Sequence, residues 1–152
     1  MVRRHGGPIF GAYRDGELAG VAATFAAGLH PPPAWTFLHF VPGFLFAGPG
    51  PVVRGLRVSA IQDGGHPEED HVFLWFLAVD PRHQRAGVGR ALLAHVAENA
   101  EVPVYLDTAN PANVPYYVGA GFEEIGRAPL PRGATMWFML RAERAAPGAS
   151  GL

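Results

Sequence analysis

The residues best suited to chemistry lie in a turn, Asp80-Pro-Arg-His-Gln-Arg-Ala-Gly-Val-Gly-Arg90. An apolar run, His71 to Val79, precedes it, and a stretch with Ala91, Leu92, Leu93, Val96 and Ala97 at helical spacing follows it. A strand, a glycine-rich turn and a helix N-terminus together make an anion site. The first helical turn has free backbone N–H groups, and the helix dipole favours negative charge there. Gly87 and Gly89 have no Cβ, so a phosphate can approach the backbone closely. Arg82, Arg85 and Arg90 add charge that matches phosphate geometry. A mononucleotide P-loop needs Gly-Lys-Ser/Thr, and the chain has no lysine. A dinucleotide fingerprint needs a third glycine where Leu92 stands. The residues alone leave two readings: a phosphate-binding turn, or a tight glycine start to a helix.

A second cluster follows another apolar run, Val102 to Thr108. It reads Ala109-Asn-Pro-Ala-Asn-Val-Pro-Tyr-Tyr-Val-Gly-Ala-Gly-Phe122. Pro111 and Pro115 suit a turn and the first turn of a short helix, and Gly121 suits its stop. A third group, His66-Pro-Glu-Glu-Asp-His71, offers two histidines and three carboxylates to a metal. Its spacing fits no established ligand pattern, and a solvated loop accounts for it equally, so no metal is expected.

The elements that position these clusters follow from periodicity and turn residues. Pro8 to Tyr13 and Leu18 to Ala26 read as strands around an Asp15-Gly16 hairpin turn. Gly28 to Pro33 is a break, and Pro31-Pro32-Pro33 runs extended. Ala34 to Phe46 reads as two short helical pieces divided by Pro42-Gly43. Pro51 to Gln62 reads as a helix with Val52, Val53, Leu56 and Ala60 on its buried face, ended by Gly64-Gly65. The strand from His71 to Val79, the helix after the turn, the strand Val102 to Thr108 and the short helix come next. Phe122 to Ala128 and Ala134 to Arg141 are the last strands, joined by a loop over Pro129 to Gly133. Residues 1–142 read as one domain, and 143–152 as a frayed tail.

The strand ending Leu77-Ala78-Val79-Asp80-Pro81, followed by Gln84-x-x-Gly87-x-Gly89, resembles the coenzyme A pyrophosphate loop of the GNAT superfamily of N-acetyltransferases. The family also carries an Asn after its fifth strand, then a helix with Tyr four residues before Gly-Phe. Here those are Asn110, Tyr117 and Gly121-Phe122. The segment Asn110-x-x-Asn113-Val114-Pro115-Tyr116-Tyr117 is similar to the branch containing puromycin N-acetyltransferase. Two motifs in order, about twenty residues apart, carry more weight than either alone. The likeness covers roughly Leu74 to Leu140. It implies an α/β fold with a mixed, mostly antiparallel sheet flanked by helices. A family member has one more strand and usually two helices ahead of this opening. The chain therefore reads as lacking one wall of the acceptor pocket, with a sheet edge exposed to pairing.

The resemblance implies an acetyltransferase that binds acetyl-CoA and an amine side by side and gains much of its rate from proximity. Backbone groups of Leu77 and Val79 would hold the pantetheine arm, and an amide near Ala78 the developing oxyanion. Gln84, Arg85, Ala86, Gly87, Val88, Gly89 and Arg90 would hold the pyrophosphate. Asn110 and Asn113 would bind the pantetheine or fix the strand-to-helix turn, with Tyr116 beside them at the coenzyme site. Tyr117 would protonate the departing thiolate; a phenol of pKa ~10 against a thiol near ~8.5 is a workable general acid. The alternative makes Tyr116 and Tyr117 a half-buried aromatic pair. Many members place a Glu base on the fourth strand, and Val72 to Val79 has none. Asp107 takes that role in this reading, with His71 or water as alternatives; Asp107 also suits a turn cap.

Composition narrows the field. A formal net charge of −1 and sparse charged residues disfavour a nucleic-acid surface. The absence of cysteine excludes disulfides, a cysteine nucleophile and zinc–thiolate sites. Ala34 to Ala47 is too short for a bilayer, which takes ~20 residues. Met1-Val-Arg-Arg-His-Gly-Gly leads into no apolar signal segment. The expectation is a cytoplasmic monomer or homodimer acting on a small-molecule amine, with neither nucleic acid nor membrane as partner. A domain that binds acyl-CoA without catalysis is the alternative, and a phosphate-binding α/β domain of another family is a further one. Trp35, Phe37, Phe40, Phe44 and Phe46 either line an apolar acceptor pocket or pack as core.

Overall fold

Apolar runs alternate with Gly, Pro and Asp turns along the chain, and among the described residues these runs become the elements of a layered structure. The computed structural model describes residues 7–25 and 49–143. Strands β1 (Ile9–Arg14) and β2 (Glu17–Phe25) form the expected hairpin about Asp15-Gly16. Helix α1 (Pro49–Gly65), strand β3 (Val72–Val79), helix α2 (Val88–Glu98) and strand β4 (Val104–Thr108) follow. Helix α3 (Asn113–Val118) and strands β5 (Glu123–Pro129) and β6 (Thr135–Arg141) complete the order. The six strands line up as β1-β2-β3-β4-β6-β5. Every neighbouring pair is antiparallel except β3 with β4. This is the mixed, mostly antiparallel sheet flanked by helices that the sequence leads one to expect. The break over 28–33, the helical pieces over 34–46 with their five aromatic residues, and the tail after Glu143 lie outside the described residues.

Period-two alternation in the strands sorts side chains onto the two faces. Val104 and Leu106 of β4 join Ala22, Leu74, Phe122 and Met139 against Leu92, Leu93 and Val96 of α2. Tyr105, between them in sequence, points the other way and packs with Met136 and Phe138. Val58 and Ile61 of α1 cover that second cluster. Burying a Leu or Val side chain contributes about 1.5–3 kcal/mol, so the α2 face anchors the helix whose N-terminus the anion-binding turn uses.

The buried face of α1 differs from the expected one. Val53 and Leu56 are exposed, as is Ala60. The stripe that packs is Val58, Ile61, Gln62 and Gly65, at i, i+3, i+4 and i+7. Two of its four members do not read as apolar, so hydropathy pointed to the opposite side. Gly65 belongs to the stripe because only a hydrogen fits there: a Cβ would run into the Phe138 ring.

Gly65→Ala should therefore lose about 1–3 kcal/mol through overpacking. Gly64→Ala, whose Cβ meets nothing within 4 Å, should be neutral or gain up to about 1 kcal/mol from helix propensity. Urea denaturation of the two variants checks the packing; equal midpoints would contradict it.

Candidate active site

A strand inside a sheet ordinarily pairs along both edges. Strand β3 pairs with β2 from Phe73 to Val79, but with β4 only at Val72 and Phe73. Beyond those residues the two parallel strands part. The Val72 N–H donates to the Pro103 carbonyl at 2.9 Å, toward β4. Leu74 pairs with Thr24 and Phe76 with Ala23, so Trp75 is an extra residue on β3, a bulge. A bulge inverts the alternation of backbone direction beyond it. Past the bulge, the Asp80 N–H donates to Ala19 O at 2.9 Å, toward β2. By alternation the N–H and C=O groups of Leu77 and Val79 face away from β2, into the space that β4 has left. Among the described residues they have no partner strand, and they present an edge that an extended ligand can join as a strand would. The amide of Ala78 faces β2. An oxyanion donor near this point must come from Leu77 or Val79 and not from Ala78 itself.

This edge leads directly into the glycine-rich turn. The Asp80 carboxylate accepts from the Arg82 backbone N–H at 2.8 Å and from its guanidinium at 2.9 Å. Arg82 Nη1 also reaches Glu17 at 3.1 Å. Side-chain and then backbone hydrogen bonds from Arg82 hold the Asp80 carboxyl down to about 2. Arg82 thus braces the turn against the β1–β2 hairpin. Arg85 and Arg90 have no ion-pair partner among the described residues. The Gln84 N–H closes the short helical turn at Pro81–His83, and the chain then swings through positive φ at Arg85 (63°) and Gly87 (82°). Gly87 caps α2 in the left-handed region, with no side-chain cap bond. The first bond into the helix runs from the Ala91 N–H to Gly87 O at 2.9 Å. Among the described residues the N–H groups of Val88, Gly89 and Arg90 thus have no backbone acceptor, as at any helix start, and can meet an anion. A Cβ at Gly87 would meet nothing within 4 Å, so the cradle is open.

Helix α3 brings the two tyrosines to this place. Asn110 Oδ1 accepts from the Ala112 N–H at 3.0 Å, an Asx turn. Thr108 Oγ1 accepts from the Asn110 N–H at 3.3 Å and, weakly, from Asn113 Nδ2 at 3.5 Å. Of the two roles open to these asparagines, fixing the strand-to-helix turn is the one seen. The helix ends in a Schellman motif. The Phe122 N–H bonds to Tyr117 O at 3.1 Å and the Gly121 N–H to Val118 O at 3.0 Å, with Gly121 at φ 87°. The motif's hydrophobic contact is Tyr117 on Phe122, ring centroids 5.9 Å apart and nearly edge-on. The Tyr-x-x-x-Gly-Phe spacing thus has a local physical cause, and it fixes the Tyr117 ring. Tyr116 packs on Tyr117 at 5.4 Å, and its hydroxyl abuts Gly89 at the start of α2.

Asp107 lies near the end of β4, on the Tyr105 face, half buried. Burial raises its pKa, and a hydrogen bond from Gln62 partly offsets the rise. Burial, then Tyr116 and Asp107, push the Tyr117 phenol up, so phenol and carboxylate sense one another. Burial and Asp107 likewise raise Tyr105, whose buried hydroxyl has no hydrogen-bond partner. His71 is corrected as a base. It stands at the opposite end of β3 from Val79, is 3% exposed, and has both ring nitrogens engaged. Its Nδ1 donates to Glu69 O at 2.8 Å, and its Nε2 meets His66 Nδ1 at 2.9 Å. The two histidines thus bond each other, and no group of three metal-ligating side chains forms among the described residues. Sequence reasoning missed the Trp75 bulge, which has no compositional signal, and Gln62, which is 45 positions from the carboxylate it contacts. No helix among the described residues is long and apolar enough to cross a membrane.

The fold has clear relatives among solved structures. One, described as a histone acetyltransferase HPA2 and related acetyltransferase from Corynebacterium glutamicum, aligns with a TM-score of 0.62 at 22% identity, over 92% of this chain and 66% of that one. The present chain thus spans just under two thirds of that relative's length. An acetyltransferase from Bacillus subtilis, solved in complex with CoA, aligns at 0.55 and 13% identity, over 90% and 76% of the two chains. Arylalkylamine N-acetyltransferase 2 from Aedes aegypti aligns at 0.53 and 13% identity, over 87% and 71%. At such identities the likeness concerns the fold. The sequence profile of the Acetyltransferase (GNAT) family matches residues 1–122, most of the chain, and with that match the chain belongs to the GNAT acetyltransferase family.

Proposed function

We propose that this protein transfers the acetyl group of acetyl-CoA directly to a primary amine of a small molecule, with both reactants bound together. The observation that carries the proposal is the unpaired edge at Leu77 and Val79 leading into the open N-terminus of α2. An arm with amide groups suits the first, and a pyrophosphate suits the second. The Bacillus subtilis relative bound to CoA supports the choice of co-substrate. The small-molecule acceptor rests on the likeness of Asn110 to Tyr117 to the puromycin N-acetyltransferase branch.

In this reading Leu77 and Val79 align the pantetheine arm, and one of their amides donates to the thioester oxygen as it gains charge. The α2 N-terminus, with Arg85 and Arg90, holds the pyrophosphate. Asp107 takes a proton from the amine as its nitrogen bonds to the thioester carbon. Tyr117 gives a proton to the sulfur as the carbon–sulfur bond breaks. The directions of the pKa shifts suit these tasks. A raised carboxylate is a better base, and a raised phenol is protonated at neutral pH.

Calorimetric titration with acetyl-CoA should give saturable binding by the wild-type chain and none by a folded Arg85→Glu/Gly87→Asp variant. Equal binding by both would remove the turn from the site. Thiol release with a panel of primary amines, puromycin and tryptamine among them, tests transfer; saturable binding without release would favour a binding-only domain. With any accepted amine, kcat/KM should fall as pH drops through the raised Asp107 pKa. It should fall again as pH rises through the Tyr117 pKa, above the usual phenol value. Tyr117→Phe should lower kcat by about 10²–10⁴-fold and remove the alkaline limb while acetyl-CoA still binds. An unchanged profile would exclude Tyr117 as the acid.

A further inference from the structure

Helix α1 approaches β4 with one polar side chain, Gln62, in an otherwise apolar or glycine stripe. Its Nε2 stands 3.2 Å from Asp107 Oδ1 and 3.3 Å from Oδ2, so the amide straddles the carboxylate. Both side chains are partly buried, where a donor to an ionised group is worth more than at the surface. Val58 and Ile61 pack on the Tyr105 cluster and Gly65 lies against Phe138, which holds the helix close enough for Gln62 to reach. We propose that Gln62 is a positioning residue for Asp107: its amide fixes the carboxyl group in one orientation at the end of β4 and favours its ionised form. The inference rests on the reading of Asp107 as the base, and it makes α1 part of the catalytic apparatus.

Among the described residues, the remaining surroundings of Asp107 are poor in compensating charge. From its own strand the neutral Tyr105 phenol faces it, with no hydrogen-bond partner. From α3 comes the neutral Tyr117 phenol. Its register partner on β6 is Phe138. Among the described residues, burial disfavours the Asp107 charge and the Gln62 hydrogen bond opposes that effect. Without the amide the carboxyl should hold its proton to higher pH.

The test reads Asp107 directly by carbon-13 NMR of its carboxyl group across a pH titration, assigned with Asp107→Asn. In Gln62→Met, which keeps the volume but removes the donor, the midpoint should move up by about one pH unit, the scale of a hydrogen bond to a charged group. In Gln62→Glu, which sets a second carboxyl beside the first, it should rise further. The acid limb of transfer to an accepted amine should move by the same amount. Folded variants, with thermal melts like the wild type, whose Asp107 midpoint equals the wild-type value would overturn the inference. Asp107→Asn separates the two failures: full transfer activity in that variant removes Asp107 as the base, whatever Gln62 does to its titration.

Discussion

Backbone groups inside a folded chain need partners, and among the described residues one strand leaves some of its own without a partner strand. Strand β3 has β2 on one edge throughout, but β4 on the other only at Val72 and Phe73. The rest of the arrangement depends on that departure. It places that backbone edge in the middle of the sheet, between β2 and β4. The bulge at Trp75 decides which residues face the gap. Without the extra residue the register would present Phe76 and Ala78. With it, Leu77 and Val79 turn toward the opening, immediately before the turn that carries the α2 N-terminus.

Around this gap, local motifs set the reactive groups. The Schellman motif at the end of α3 spends its hydrophobic contact on Tyr117 and Phe122, so the phenol is oriented by the same six-residue device that stops the helix. The Asx turn at Asn110 and the Thr108 hydroxyl fix where α3 leaves β4. Arg82 binds the turn to the first hairpin and leaves Arg85 and Arg90 as the charges without a carboxylate partner. Positioning falls to short-range geometry, and burial adjusts proton affinity afterwards.

What could be read in advance follows the range of the interaction. The Asp15-Gly16 hairpin, the strand ends, the Gly87 start of α2 and the Tyr117-to-Gly121 offset are settled within a few residues, and each stood out in the sequence. Arg82 reads in sequence as one more phosphate-matching charge, and its pairing with Asp80 two residues away and Glu17 65 positions away shows only in the fold. The α1 face was misassigned because its packing stripe includes Gln62 and Gly65, which have no hydropathic signature. His71 was a candidate base until the fold placed it at the wrong end of β3 against His66. The Trp75 bulge depends on how β2 registers, which no local pattern in an apolar run reveals.

The most direct measurement is amide hydrogen exchange at Leu77 and Val79, by NMR, with and without saturating coenzyme A. If the gap receives the coenzyme as an added strand, both amides should slow markedly on binding. Phe76 and Ala78, which already face β2, should change little. Unchanged exchange at Leu77 and Val79 in a chain saturated with coenzyme would contradict the central claim, and would place the ligand somewhere other than beside β3.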